Sequence, residues 1–164
     1  MAAAILIGLL AIMGAGITVI ARNQVRIADR SAQIQQGRAM IEGITRELRE
    51  GSGVQNQTSS SLSFLTYVRG QQCGGSEPPA SDDTPAIQCR VTYACSDGGC
   101  TRTEARPDGS GPGPPVRMVD GLRSDAIFTY VPAGNPGHVT VTLEYPGEDG
   151  DETVTLSDGA ALRN

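Results

Sequence analysis

From Ala2 to Ala21 the chain carries no charge, and Thr18 is the only polar side chain. As a helix this stretch would measure about 30 Å, the thickness of a bilayer's hydrocarbon core. A secretory signal has a shorter apolar core, about 7–15 residues, followed by a small-residue cleavage site. Here a polar helical pattern follows directly, with no turn residue between. The reading is therefore a retained transmembrane helix over residues 1–21, in preference to a cleaved signal or a buried core helix.

The next segment, 22–50, reads as an amphipathic continuation of that helix. It is rich in Arg, Gln, Ala, Glu, Ile and Leu, all good helix formers, and no proline occurs before Pro78. Ile34, Ile41, Ile44 and Leu48 fall on one stripe, with charged and amide residues around the rest of the surface. Glu42 precedes Arg46 by four residues, the favourable order for a helical ion pair. Gly37 and Gly43 weaken the helix modestly, and Gly51-Ser52-Gly53 ends it. The stripe needs a partner, and the remainder of the chain, 51–164, is the one available.

That remainder changes period from helical to two. Leu62, Phe64 and Val68 alternate with Ser63 and Tyr67. Ile87, Cys89, Val91, Tyr93 and Cys95 alternate with Gln88, Arg90, Thr92 and Ala94. Val139, Val141, Leu143 and Tyr145 alternate with Thr140, Thr142 and Glu144. Such alternation predicts strands with one buried face. Shorter strand candidates are Cys100–Ala105, Val116–Val119, Ile127–Val131 and Thr153–Leu156. Ser96-Asp97-Gly98-Gly99 and Pro146-Gly147-Glu148-Asp149-Gly150 read as hairpin turns, whereas 70–85 and 107–115 read as loops. The expected fold class is α+β: a long N-terminal helix, transmembrane in its first half, packed against a small antiparallel β-head in the form of a single curled sheet.

Charge and cysteine usage narrow the function. All 13 basic residues are arginine. Residues 22–50 hold six Arg against four acids, whereas 51–164 hold seven against 14. An acidic head argues against nucleic acid as a partner, since such binding needs basic surface. Cys73, Cys89, Cys95 and Cys100 all lie in the head, separated by 15, five and four residues. An even count in a small loop-rich domain points to two disulfides, with three pairings open. Cys95 and Cys100 bracket a four-residue turn, so a bond across that hairpin end is reasonable, and Cys73 with Cys89 would then close the long loop. In that register Val91 faces Glu104 and Tyr93 faces Arg102, which makes the second strand polar on both faces and suggests a sheet edge. Free thiols and a zinc site are the alternatives. Zinc is disfavoured because there is no CxxC and the sole histidine, His138, is remote in sequence.

No catalytic constellation is visible. The absence of lysine excludes Ser–Lys and Schiff-base chemistry, His138 stands alone at a strand start, and GxSxG, GxGxxG, P-loop and HExxH motifs are all missing. The expectation is a non-enzyme with no small-molecule substrate and no cofactor. Glu148, Asp149, Asp151 and Glu152 surround Gly150 with the oxygen chemistry calcium takes, but EF-hand spacing is missing and a solvated hairpin tip is the plainer reading. Within the apolar run, Ala4, Gly8, Ala11, Ala15 and Thr18 share one helical face. Small side chains there would let helices approach closely in lipid, so this face is a candidate for subunit packing, with a lone anchor as the alternative. Arg22, Arg26 and Arg30 would favour a cytoplasmic flank by the positive-inside rule. The cysteines and the acidic head argue instead for a single-pass protein with its head outside the cytoplasm.

The apolar run AAAILIGLLAIMGAGITVIARNQ, its continuation ending ITRELREGSGV and the small β-head resemble the type IV pilin superfamily. More narrowly, SLSFLTYV, VTYACSDGGCTRTE, MVDGLRSDAIFTYV and VTVTLEYPGEDGDETVTLSDGAALRN resemble J-type minor pseudopilins of the type II secretion kind. The resemblance implies a prepilin-type structural subunit: stored in the membrane, packed through its N-terminal helix against other pilin or pseudopilin subunits, and displayed at the cell surface near a filament tip. Family members carry a basic leader and a glutamate within the apolar stretch. Neither is present here, and the expectation is that leader and first mature residues lie upstream of Met1. A membrane-anchored binding domain that never polymerises is the alternative.

Overall fold

A computed structural model of the chain describes residues 29–70, 72–74, 85–133, 136–147 and 152–162. The proposed membrane span, and with it Ala4, Gly8, Ala11, Ala15 and Thr18, lies outside the described residues. By contacts the chain divides into two units, Met1–Gln35 and Gln36–Asn164. Of the first, residues 29–35 are described, and they are helical. One helix, α1, covers 29–50 and so crosses the unit boundary.

Among the described residues eight strands follow α1: β1 Ser52–Thr58, β2 Ser61–Arg69, β3 Ala86–Ser96, β4 Gly99–Ala105, β5 Val116–Val119, β6 Phe128–Val131, β7 His138–Pro146 and β8 Thr153–Ala161. They form a five-stranded sheet in the order β1-β2-β3-β4-β5 and a three-stranded sheet in the order β6-β7-β8. All pairings are antiparallel. Within each sheet every strand therefore pairs with its sequence neighbours, as short connections favour, and the chain changes sheet between β5 and β6. Two strand-to-strand connections have only two residues, Ser59-Ser60 between β1 and β2 and, between β3 and β4, Asp97-Gly98. Asp97 and Gly98 both have positive φ, 53° and 73°, the geometry whose twist suits a two-residue hairpin.

The expected fold class is overturned. Among the described residues the helix is 22 residues long, and no helix is long and apolar enough to cross a membrane. Just over half of the described residues lie in strands, and these make two sheets, not one small curled sheet. Two features went unread. β1, SGVQNQT, has only Val54 as an apolar residue, so no alternation betrays it. The β5–β6 connection, 120–127, also carries the chain from one sheet to the other. Leu122 and Ile127 enter the core there, while Leu122 N donates to Gly98 O and Thr142 N to Ile127 O, tying this segment to both sheets.

The core lies between α1 and the inward faces of both sheets. Met40, Ile41, Ile44 and Leu48 of α1 are at most 5% exposed and share one cluster with Leu62, Phe64, Val91, Tyr93, Ile127, Val139, Val141, Leu143 and Tyr145. Burying each of those four helix side chains stabilises the unit by about 1.5–3 kcal/mol. Ile34, the first member of the sequence-read stripe, is only half-buried, and Met40 is the buried addition. The buried apolar stripe thus begins six residues later than its spacing suggested. The final turn of α1 is tied to β2 by a polar contact: buried Thr66 donates from Oγ1 to Glu47 O at 3.3 Å, serving a carbonyl near the helix end.

Candidate functional site

Three constructions in this unit could carry function: a charged clamp under the last turns of α1, two disulfides, and a groove between α1 and β8.

The clamp starts from the pleat. Register pairs Tyr93 with Arg102 and Val91 with Glu104, and all four side chains share the inward face with Cys95 and Cys100. Arg102 and Glu104 are therefore carried toward the core by β4. β4 is an interior strand, paired on its far side with β5 through Cys100↔Val119, Thr101↔Arg117 and Arg102↔Val116, so the expectation of an edge strand is corrected. The charges are tolerated because α1 supplies a third. Arg102 Nη2 donates to Glu47 Oε1 at 2.9 Å, with Nε 3.5 Å from Oε2. Its Nη1 donates to Glu104 Oε1. Tyr93 donates its hydroxyl to Glu47 Oε2 at 2.8 Å, and Gly74 N donates to Glu104 Oε2 at 3.3 Å.

Burial pushes the Tyr93 hydroxyl pKa well above its ordinary value, and the adjacent Glu47 carboxylate pushes it further. Burial is the largest single influence on Arg102 and opposes its charge, but Glu47, Tyr93 and Glu104 together outweigh it and the guanidinium pKa is raised. Arg102 stays a cation and Tyr93 a neutral donor. Every member is engaged with another, so the chemistry is that of a fastener between helix and sheet, without a nucleophile or a proton relay.

The disulfides join Cys73 to Cys89 and Cys95 to Cys100, and among the described residues no cysteine is free. Cys89 lies in β3, so the first bridge pins the 72–74 segment to that strand. It thereby brings Gly74 within reach of Glu104. The second closes the β3–β4 hairpin at a directly opposed pair.

The groove holds about 360 Å³ and is lined by Arg38, Ile41 and Glu42 of α1 and by Thr155, Leu156, Ser157 and Asp158 of β8. Its floor is apolar and its rim carries both signs of charge. No alternation in the sequence predicted it, because β8 continues through Asp158-Gly159 to Ala161, beyond Leu156, where the strand candidate was read to stop.

Ile41, Ile44 and Leu48 meet in the core, and the four cysteines meet in two pairs. Of the calcium candidates, Glu148, Asp149 and Asp151 lie outside the described residues and Glu152 is exposed. No group of three or more His, Cys, Asp or Glu suited to a metal occurs among the described residues. His138 is exposed at the start of β7. Sequence reasoning missed Glu47, whose only signal was a carboxylate one residue before the apolar Leu48 on α1, and it missed the groove altogether. Compared with protein-family models and with curated proteins, the chain matches none.

Proposed function

We propose that this chain is a non-catalytic structural subunit of the type IV pilin kind, a minor pilin or pseudopilin, held in a membrane and built into a filament. One observation carries the reading. The C-terminal half of α1 is fastened into a disulfide-bonded head by a buried apolar stripe and by the Glu47–Arg102 clamp, and the sequence upstream of α1 holds the uncharged stretch Ala2–Ala21. A subunit that transmits load from a membrane-embedded segment to a head needs this kind of joint. The engaged state of the polar groups at the clamp supports a structural role over an enzymatic one. The two disulfides favour a head outside the cytoplasm, where thiols are oxidised.

The test is fractionation of cells that make the tagged full chain. The expected result is resistance of the chain to alkaline carbonate extraction from membranes, four cysteines that resist alkylation until reduced, and a share of the chain recovered with sheared surface filaments. Release by carbonate, or thiols that alkylate without reduction, would refute the membrane-held, oxidised subunit. Absence from sheared filaments, with the other two results intact, would leave the anchored non-polymerising domain in its place.

A further inference from the structure

Among the described residues four strand edges terminate the two sheets, and three of them are blunted. β1 loses register with β2 between Ser52 and Asn56. β5 has four residues, sits next to a register break at Cys100/Thr101 and follows Pro114-Pro115. β6 also has four, runs into Pro132, and its Phe128 N already donates to Ser59 O. β8 differs from all of these. It pairs with β7 in unbroken register from Thr153 to Ala161, contains no proline, and among the described residues has no strand on its other side. Short length, bulges, prolines and charges are the devices that stop edges from pairing. β8 has only Asp158 among them.

We propose that β8 is the contact by which two copies of this chain associate, edge to edge and antiparallel, joining two three-stranded sheets into one of six strands. The occupant of the edge is a second copy because the site is complementary to itself. An antiparallel pairing centred on Leu156 sets Leu156 against its counterpart, Thr155 against Ser157 and Val154 against Asp158. It keeps inward residues opposite inward ones, as the pleat requires, and places no two like charges in direct opposition. The groove beside β8 repeats the pattern. Its floor, Ile41 and Leu156, becomes continuous with the same floor in the other copy. Its rim offers Arg38 to the other copy's Glu42 and Asp158, and receives the reciprocal contact. Reciprocal contacts of this kind define a two-fold interface. The inference stands apart from the filament reading, since it concerns the head alone.

Sedimentation of the purified full chain in nonionic detergent, from about 1 to 100 µM, tests it. The expected result is a concentration-dependent shift from monomer to dimer. The double variant Thr155→Lys/Ser157→Lys sets lysines opposite each other twice across the proposed ladder and should weaken association by about tenfold or more. Lysines are natural on exposed edges, so the fold should persist, and an unchanged far-UV spectrum with both disulfides intact checks that. Arg38→Glu should also weaken dimerisation, and Arg38→Glu/Glu42→Arg should restore part of it, since Asp158 then still faces a carboxylate. A wild-type chain that stays monomeric throughout would overturn the proposal and leave the edge to a strand from a different protein. Association that survives the lysine pair would overturn it too, and would point to another surface of the chain.

Discussion

Two glycines of α1 look alike in sequence and are opposite in structure. Alanine in place of a helix-interior glycine ordinarily stabilises by about 0.5–1 kcal/mol, because glycine loses more backbone freedom on folding. At Gly43 a Cβ would meet nothing within 4 Å, so Gly43→Ala should gain that amount. At Gly37 the same Cβ would overlap the Tyr145 hydroxyl and come within 3.2 Å of Tyr145 Cε2 and Leu156 Cδ1. Leu156 can turn its methyl aside. Tyr145 is only 2% exposed and stands on β7 with its ring in the core, so its oxygen has little room. Overpacking of this kind costs about 1–3 kcal/mol, which outweighs the helix gain and reverses the sign. The offending oxygen has no hydrogen-bond partner among the described residues. Tyr145→Phe should therefore cost little by itself. In that background Gly37→Ala should recover most of its loss, short of all because the ring carbon remains close. The four-member cycle should show a coupling of roughly 1–2 kcal/mol. Urea unfolding of the full chain at fixed detergent, followed by circular dichroism, measures each corner. Equal stabilisation by Gly37→Ala and Gly43→Ala, or a cost at Gly37 indifferent to Tyr145→Phe, would refute the close approach of α1 to β7 on which the calculation rests.

Three further expectations concern the clamp, the bridge and the tyrosines. Arg102→Met leaves Glu47 and Glu104 facing each other without their cation. Breaking a fully buried pair costs about 3–5 kcal/mol, and the 17–20% exposure of these side chains lowers the expectation to about 2–3 kcal/mol, while adding Glu47→Gln and Glu104→Gln should return most of it. Urea midpoints give both numbers, and a loss below about 0.5 kcal/mol for the single variant would mean the clamp is solvated. Cys73→Ala/Cys89→Ala opens a bridge with a sequence separation of 16, for which chain entropy predicts a loss of about 3 kcal/mol by the same assay; an unchanged midpoint would count against it.

Burial raises the hydroxyl pKa of Tyr93, Tyr130 and Tyr145, the last to about 12. The folded state therefore holds protons that the unfolded chain releases near pH 10, so this share of stability is complete below about pH 10 and declines as pH rises through the folded values. Phenolate absorbance from these three should lag and then emerge together with loss of the near-UV signal. Smooth titration near pH 10 with the fold intact would contradict their burial.

What the residues revealed in advance follows from where each strand sits. β3 and β7 lie inside their sheets with one face on the core, so Val91, Tyr93, Val139, Val141 and Leu143 announce them by alternation. β1 lies at an edge with most of its residues exposed, and its conformation is supplied by the ladder to β2, leaving nothing in SGVQNQT to read. The same holds for the second half of β8, where Asp158-Gly159 would end a strand on local preference and β7 overrides it through Thr140↔Gly159 and Val141↔Asp158. The Arg102–Glu104 row teaches the opposite lesson. The register that opposes Cys95 to Cys100 also sends both charges inward, and polar residues on both faces of a strand ordinarily mean an edge. That inference fails because Arg102, paired with Glu104 on its own strand, is also engaged by Glu47, 55 residues away on another element. Local pattern measures how much apolar surface a strand offers. It is blind to a charge that a distant helix completes, and a completed charge lets a strand lie in the middle of a sheet.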